Sequence, residues 1–282
     1  MTHLADAQTR GASRPGPVRL LATLLGAAHP GPAVAVTVLA ALLAGALGLS
    51  PGRSVLAVAA VLTSQLSIGW SNDLIDLARD RAVGRTDKPL AAGALPAAAV
   101  RVACGVVLVA TVPLGLACGA AAALVHAANT AAGWAYNLGA KATPWSWVPY
   151  AVAFGGLPAF VSLAHQPAVA PAVWQVAAGT LLGVGAHVLN VLPDLADDEA
   201  TGVRGLPHRL GARWSRRVAV AVLLVASVVI VLGAQTAYAA SGIALLLVLA
   251  LSAVTLTGRG RWPFVAAVGI AVVDVVLLVA AS

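Results

Sequence analysis

The chain has 282 residues, 60% of them hydrophobic and only 10% charged, with a formal net charge of +7 and a mean hydropathy of +0.92. A water-soluble domain of this length needs far more polar surface, so the composition excludes one and leaves an integral membrane protein. Lipid offers no partner for backbone polar groups, so the spans must be helices, each needing about 18 to 22 apolar residues.

In chain order, residues 1 to 17 read as a flexible cytosolic tail. The stretch VRLLATLLGAA after basic residues resembles a secretory signal, but Pro30 and Pro32 interrupt it and apolar sequence continues to Leu49. Residues 18 to 28 are therefore expected to form a retained interfacial helix. Nine spans are expected within one membrane domain, 18 to 282: about 32 to 49, 54 to 75, 97 to 117, 120 to 138, 147 to 164, 172 to 192, 217 to 234, 238 to 257 and 262 to 281. Cys104 and Cys118 lie about 21 Å apart by helical rise, too far to be bridged, and read as packing residues.

With nine spans, 16 of the 17 basic residues fall on one face. That face holds Arg10, Arg14 and Arg19, the cluster Arg79 to Arg101, Lys141, the cluster Arg204 to Arg217, and Arg259 with Arg261; Arg53 alone is opposite. By the positive-inside rule this face is cytoplasmic, the C-terminus is outside, and the plasma membrane is the expected location.

The charge concentrates in NDLIDLARDRAVGRTDKPLAAG, residues 72 to 93, and a shift of 118 positions lays it over NVLPDLADDEATGVRGLPHRLG, residues 190 to 211. Identical pairs include Asn72 and Asn190, Asp76 and Asp194, Asp80 and Asp198, Gly84 and Gly202, Pro89 and Pro207, and Gly93 and Gly211. Each copy follows a span, the second and the sixth, so both open on one face.

Both copies read N-x-x-x-D-x-x-x-D. On a helix a step of four advances a side chain by about 40° and 6 Å, so Asn72, Asp76 and Asp80 form one oxygen-bearing stripe. Asn190, Asp194 and Asp198 are expected to form another, with His187 and Asp197 near it. Two facing acidic stripes at a membrane need cations, and all-oxygen ligands with incomplete protein coordination suit Mg²⁺ completed by substrate phosphates. The basic residues trailing each stripe, Arg85 and Lys88, then Arg204, His208 and Arg209, suit the outer phosphate oxygens. Asp73, Asp87 and Glu199 fall off the stripes and read as solvated.

These residues resemble the UbiA superfamily of intramembrane prenyltransferases, whose hallmark is an N/D-x-x-x-D-x-x-x-D motif after the second helix and a D-x-x-x-D motif after the sixth. Tyr136 to Lys141, YNLGAK, looks like that family's Y-x-x-x-x-K segment, which would make Lys141 another diphosphate ligand. Where many relatives carry Arg-Pro, this chain has His29 and Pro30, which leaves His29 to helix-end packing.

The resemblance implies an all-α bundle of nine transmembrane helices. It also implies that an allylic prenyl diphosphate ionises at two Mg²⁺ ions and prenylates a small lipophilic acceptor, often aromatic. The partners are then the prenyl diphosphate, the acceptor and the lipid bilayer, with no nucleic acid. Asp76, Asp194 and His187 become the candidate catalytic residues, His187 as proton acceptor or acceptor-orienting group. Trp70, Trp134, Tyr136 and Tyr150, with Trp145 and Trp147, are candidates to line the isoprenoid cavity. His126 with Asn129 reads as an interhelical hydrogen bond and Asp274 as a group facing the bundle interior. A membrane terpene cyclase, needing no acceptor, is the alternative enzyme. A cation-coupled transporter fits less well, because the acids cluster at one end of the spans.

Overall fold

Proline marks several of the helix starts. In the computed structural model, which describes residues 17–200, 202–234 and 238–282, Pro occupies the first or second position of the helices beginning at Pro30, Pro51, Val148 and Trp262. There its missing N–H costs nothing and its fixed φ suits the helix. In order, the helices are α1 (Pro17–Gly26), α2 (Pro30–Ala46), α3 (Pro51–Ala82), α4 (Ala97–Ala117), α5 (Ala120–Leu138), α6 (Val148–Leu163), α7 (Val173–Val191), α8 (Leu195–Ala200), α9 (Leu206–Ala234), α10 (Tyr238–Thr257) and α11 (Trp262–Ala280). The expected all-α class holds.

A helix lies over each of the nine expected spans, but length and apolarity alone account for fewer crossings. By that measure α3, α4, α9, α11 and the stretch Val173–Asp194 can each cross a membrane. A sixth crossing results if Leu20–Gly26 and Pro30–Ala46, bent by 78°, are one span. The sharp bend accords with a separate helix ahead of the first span; most of the expected tail, residues 1–16, lies outside the described residues. The apolar helices Val148–Leu163 and Gly242–Thr257 are shorter, and α5 is diluted by His126, Asn129, Thr130 and Asn137.

The core runs through the bundle around Leu43, Phe160, Val161, Leu223, Ile230 and Ile270. Glycines let α6 and α7 approach closely: a Cβ on Gly179 would lie 2.5 Å from Phe154 O, and one on Gly183 2.3 Å from Tyr150 O. On α4 the residues Val102, Val106, Val109, Val112 and Leu116 form an exposed apolar stripe suited to lipid. Arg53, the basic residue expected on the opposite face, caps the ends of α4 and α6: its guanidinium donates to Cys118 O at 2.8 Å and to Ala164 O. Cys104 and Cys118 are both buried and unbridged.

Candidate active site

The two sequence copies fold alike at their ends. After Asp80 the Gly84 N–H donates to Arg81 O and the Arg85 N–H to Asp80 O; after Asp198 the Gly202 N–H donates to Glu199 O and the Val203 N–H to Asp198 O. Both are Schellman caps, which need a left-handed residue, and glycine supplies it at φ 70° in the first copy and 84° in the second. Gly93 and Gly211 form a second matched left-handed pair, at φ 77° and 72°.

The copies differ before the cap. Asn72, Asp76 and Asp80 lie on the last turns of the unbroken α3. In the second copy Pro193 stands where the first has Ile75, and the chain passes from α7 through a 3-10 turn, Leu192–Asp194, into the short α8. The second stripe is thus broken, contrary to the expected continuous helix, although Asn190, Asp194 and Asp198 still reach the same cavity.

That cavity has a volume of about 540 Å³ and lies between α2, α3, α5, α6 and α7. Its mouth carries both acidic sets with Arg79, Arg85, Lys88 and Lys141. Deeper, Val36, Val61, Ala153, Phe154 and Leu157 make the wall apolar, and Tyr136 and Tyr150 stand between the two zones, edge to face at 5.2 Å.

The carboxylates of the first motif are held by protein cations. Asp76 Oδ2 accepts from Lys141 Nζ at 2.6 Å and from Arg79 at 2.8 Å. Lys88 Nζ bridges Asp80 at 2.8 Å and Asp73 at 3.1 Å. Asn72 donates to Asn137 Oδ1 at 3.2 Å, which ties α3 to α5 at this level. Asp198 lies 3.5 Å from His208 Nε2, and burial pushes its carboxyl above the ordinary range against the pull of His208. Among the described residues no three His, Cys, Asp or Glu side chains converge as a ready-made metal cluster. The donor set nonetheless fits a hard cation, because Mg²⁺ takes only one or two carboxylates and completes its shell with water and phosphate.

Several expected site residues sit elsewhere. Trp70 is buried against Ala27, Ala28 and Leu90, and its indole N–H donates to Leu24 O at 2.8 Å, so it braces α1 against α3 instead of lining the cavity. Trp134 turns the same way and donates to Ser67 Oγ. Trp145 is exposed, and neither it nor Trp147 lines the cavity. Arg204 and Arg209 also miss the cavity: Arg204 pairs with Glu199 at 3.4 Å on the surface, and Arg209 bonds the Arg204 carbonyl. Asp197 has no described side chain.

His187 is fully buried behind the two tyrosine rings and does not line the cavity wall. Its Nε2 lies 3.0 Å from Ser146 Oγ, which also accepts the Leu206 N–H at 2.9 Å. This pins the second copy's trailing loop under the loop that carries Lys141, where a Cβ on Gly205 would fall 2.6 Å from Lys141 O. His126 makes the expected interhelical contact, a hydrogen bond to the Ala60 backbone of α3, and also stacks on Phe160 at 4.8 Å.

Asp73 corrects another expectation. It is 2% exposed, held by His29 at 2.9 Å and by Lys88, because one residue past Asn72 the side chain turns from the cavity toward the α1–α2 junction. Asp87 is solvated as expected and paired with Arg85, whose guanidinium holds the carboxyl down at about 2. The sequence pattern does not single out Arg79, Asn137 or Ser146, and it assigns His208 to phosphate where the structure sets it beside Asp198. Arg79 is masked by the repeat itself, which places Asp197 at its matching position.

The profile of the UbiA prenyltransferase family matches residues 33–263. The chain belongs to the UbiA prenyltransferase family. Of curated relatives, the bacteriochlorophyll synthase 33 kDa chain of Cereibacter sphaeroides is 28% identical over 176 residues, a match spanning 60% of this chain and 56% of that protein. Among solved structures, a digeranylgeranylglyceryl phosphate synthase superposes with a TM-score of 0.71 at 17% identity, over 93% of this chain and 98% of that one. A UbiA homolog from Archaeoglobus fulgidus bound to GPP and Mg²⁺ superposes with a TM-score of 0.67 at 14% identity, over 92% and 99%. At such identities these superpositions establish the shared UbiA fold.

Proposed function

We propose that this UbiA-family protein transfers a prenyl group from an allylic prenyl diphosphate to a lipophilic, possibly aromatic, acceptor inside the membrane. The observation that carries this reading is that both halves of the duplicated motif face the mouth of one cavity whose depth is apolar. Prenyl diphosphate and Mg²⁺ bound to the Archaeoglobus fulgidus homolog support the same assignment.

Asn72, Asp76 and Asp80 from one copy, and Asn190, Asp194 and Asp198 from the other, would hold two Mg²⁺ ions at the diphosphate end of the substrate. The metal supplies Lewis acidity that stabilises the departing diphosphate. Lys141 and Arg79, now on Asp76, and Lys88, now on Asp80, exchange their carboxylate partners for phosphate oxygens, and Arg85 reaches the same anion. The C1–O bond breaks with its electron pair leaving on the diphosphate. The allylic cation then lies beside Tyr136, Tyr150 and Phe154, whose π faces and apolar surroundings stabilise it and exclude water. The acceptor carbon bonds to C1 and its proton departs toward the anionic mouth. Arg204, Arg209 and His187 are better read as loop-shaping than as substrate contacts, His187 through Ser146 and the tyrosines. The mouth is proposed to open on the cytoplasmic side.

Purified protein with Mg²⁺ and C10 to C20 prenyl diphosphates, with and without an aromatic acceptor, tests this. Acceptor-dependent prenylation is expected; a cyclic hydrocarbon or alcohol formed without acceptor would assign the protein to terpene cyclisation instead.

A further inference from the structure

We propose that Gln65 and Asn129 form a polar subsite that holds a neutral hydroxyl or carbonyl group of the acceptor, an inference that rests on the prenyl-transfer reading. Both residues line the cavity and neither carboxamide hydrogen-bonds another described residue. They share a level, because each adjoins one member of the Ser64–Thr130 hydrogen bond, 2.9 Å, that joins α3 to α5. Gln65 is seven residues before Asn72 and Asn129 eight before Asn137, the pair at the mouth, which puts both about 10 to 12 Å below it by helical rise. His126, one turn deeper on α5, is 4% exposed and also leaves its Nε2 without a partner.

Neither part of a prenyl diphosphate uses such a layer. The diphosphate belongs at the mouth and the isoprenoid chain is hydrocarbon. Both carboxamides are partly exposed to the cavity, where water meets them until the isoprenoid chain and acceptor expel it, and from then on a partner has to come with the second substrate or the desolvation cost stays unmet. Carboxamides offer both donors and acceptors but no charge. Every cation in the cavity wall, Arg79, Arg85, Lys88 and Lys141, belongs to the motifs or their loops at the mouth. The subsite therefore suits a phenol, alcohol or quinone oxygen and disfavours a carboxylate. An acceptor anchored there extends its ring toward the mouth, where a ring carbon reaches C1.

Wild-type protein is first assayed for Mg²⁺-dependent diphosphate release from C10 to C20 prenyl diphosphates in the presence of 2-naphthol; its absence with all of them would sink the prenyl-transfer reading itself. Binding in detergent is then measured for 2-naphthol, 2-naphthoate and 2-methylnaphthalene, a shape-matched set that is neutral polar, anionic and apolar. The expected result is 2-naphthol bound at least about tenfold tighter than either analogue, with that preference lost in Gln65→Leu/Asn129→Ala. Each single variant is expected to lose part of it, which keeps the test decisive should the double variant misfold. Equal affinities in the wild type, a preference for the carboxylate, or a naphthol preference that survives the substitutions would overturn the subsite.

Discussion

Lys141 Nζ, just beyond the end of α5, donates to Asp76 Oδ2 on α3 at 2.6 Å across 65 positions of sequence. A lysine on the central carboxylate of the first motif stands where a metal and a phosphate are proposed to meet. Lys141→Met is expected to lower kcat/KM for the prenyl diphosphate by about 100-fold, as losing a charged donor to a departing oxyanion does elsewhere. Thermal unfolding should move little, because Arg79 still pairs with Asp76. Steady-state kinetics with unfolding curves check both halves; a fall in stability without a kinetic effect would make the pair structural.

Lys88 has the opposite balance. It bridges Asp73 and Asp80, both buried, so Lys88→Met strands Asp80, leaves Asp73 with His29 alone, and should cost about 3 to 5 kcal/mol of stability. Adding Asp73→Asn should recover part of that loss. Thermal unfolding in a fixed detergent reads it, and an unchanged midpoint in Lys88→Met would contradict the bridge.

Asp87 holds Arg85 in an exposed ion pair, where it would compete with the proposed diphosphate. Asp87→Asn should change stability by less than about 1 kcal/mol, since surface pairs contribute little. It should also lower KM for the prenyl diphosphate by freeing the guanidinium. Because Arg85 holds the Asp87 carboxyl at about 2, the pair stays intact above the ordinary carboxylate range and is lost only as pH falls through that value. Its competition with substrate is therefore expected to be constant across neutral pH, which a KM–pH profile checks against Asp87→Asn.

Ser146 accepts the Leu206 N–H and contacts His187 while wholly buried. Ser146→Ala leaves that donor unmet and should cost about 1 to 3 kcal/mol. A positioning role further requires kcat to fall, with its pH profile unchanged in shape. A shifted pH optimum would instead point to His187 taking part in proton transfer.

Much of this site was legible in sequence because it was written twice. The spacing of Asn72, Asp76 and Asp80 and its recurrence 118 residues later brought the metal-ligand candidates to one cavity, and the paired glycines already marked where each copy turns. Direction was less legible. Trp70 and Trp134 are one or two residues from cavity-lining positions, and a rotation of about 100° per residue sends their rings to the α1 side. Arg204 and Arg209 trail the second stripe as Arg85 and Lys88 trail the first, but that stripe is broken at Pro193 and the two arginines find Glu199 and the Arg204 carbonyl instead. Asp73 read as solvated because its partners, His29 and Lys88, come from segments that only the fold brings together. Likewise the apolar helices announced a membrane protein, while α5 gave up hydropathy to the polar groups it presents inward.

The central claim is that the paired motifs ionise an allylic diphosphate. Its most direct measurement is Mg²⁺-dependent diphosphate release by the wild type from geranyl diphosphate and from its saturated analogue citronellyl diphosphate, repeated with Asp76→Ala and Asp194→Ala. Release from the allylic substrate alone, abolished by either substitution and by chelation of the metal, is the expected result. Near-normal release by either variant, or equal turnover of the saturated diphosphate, would contradict the account.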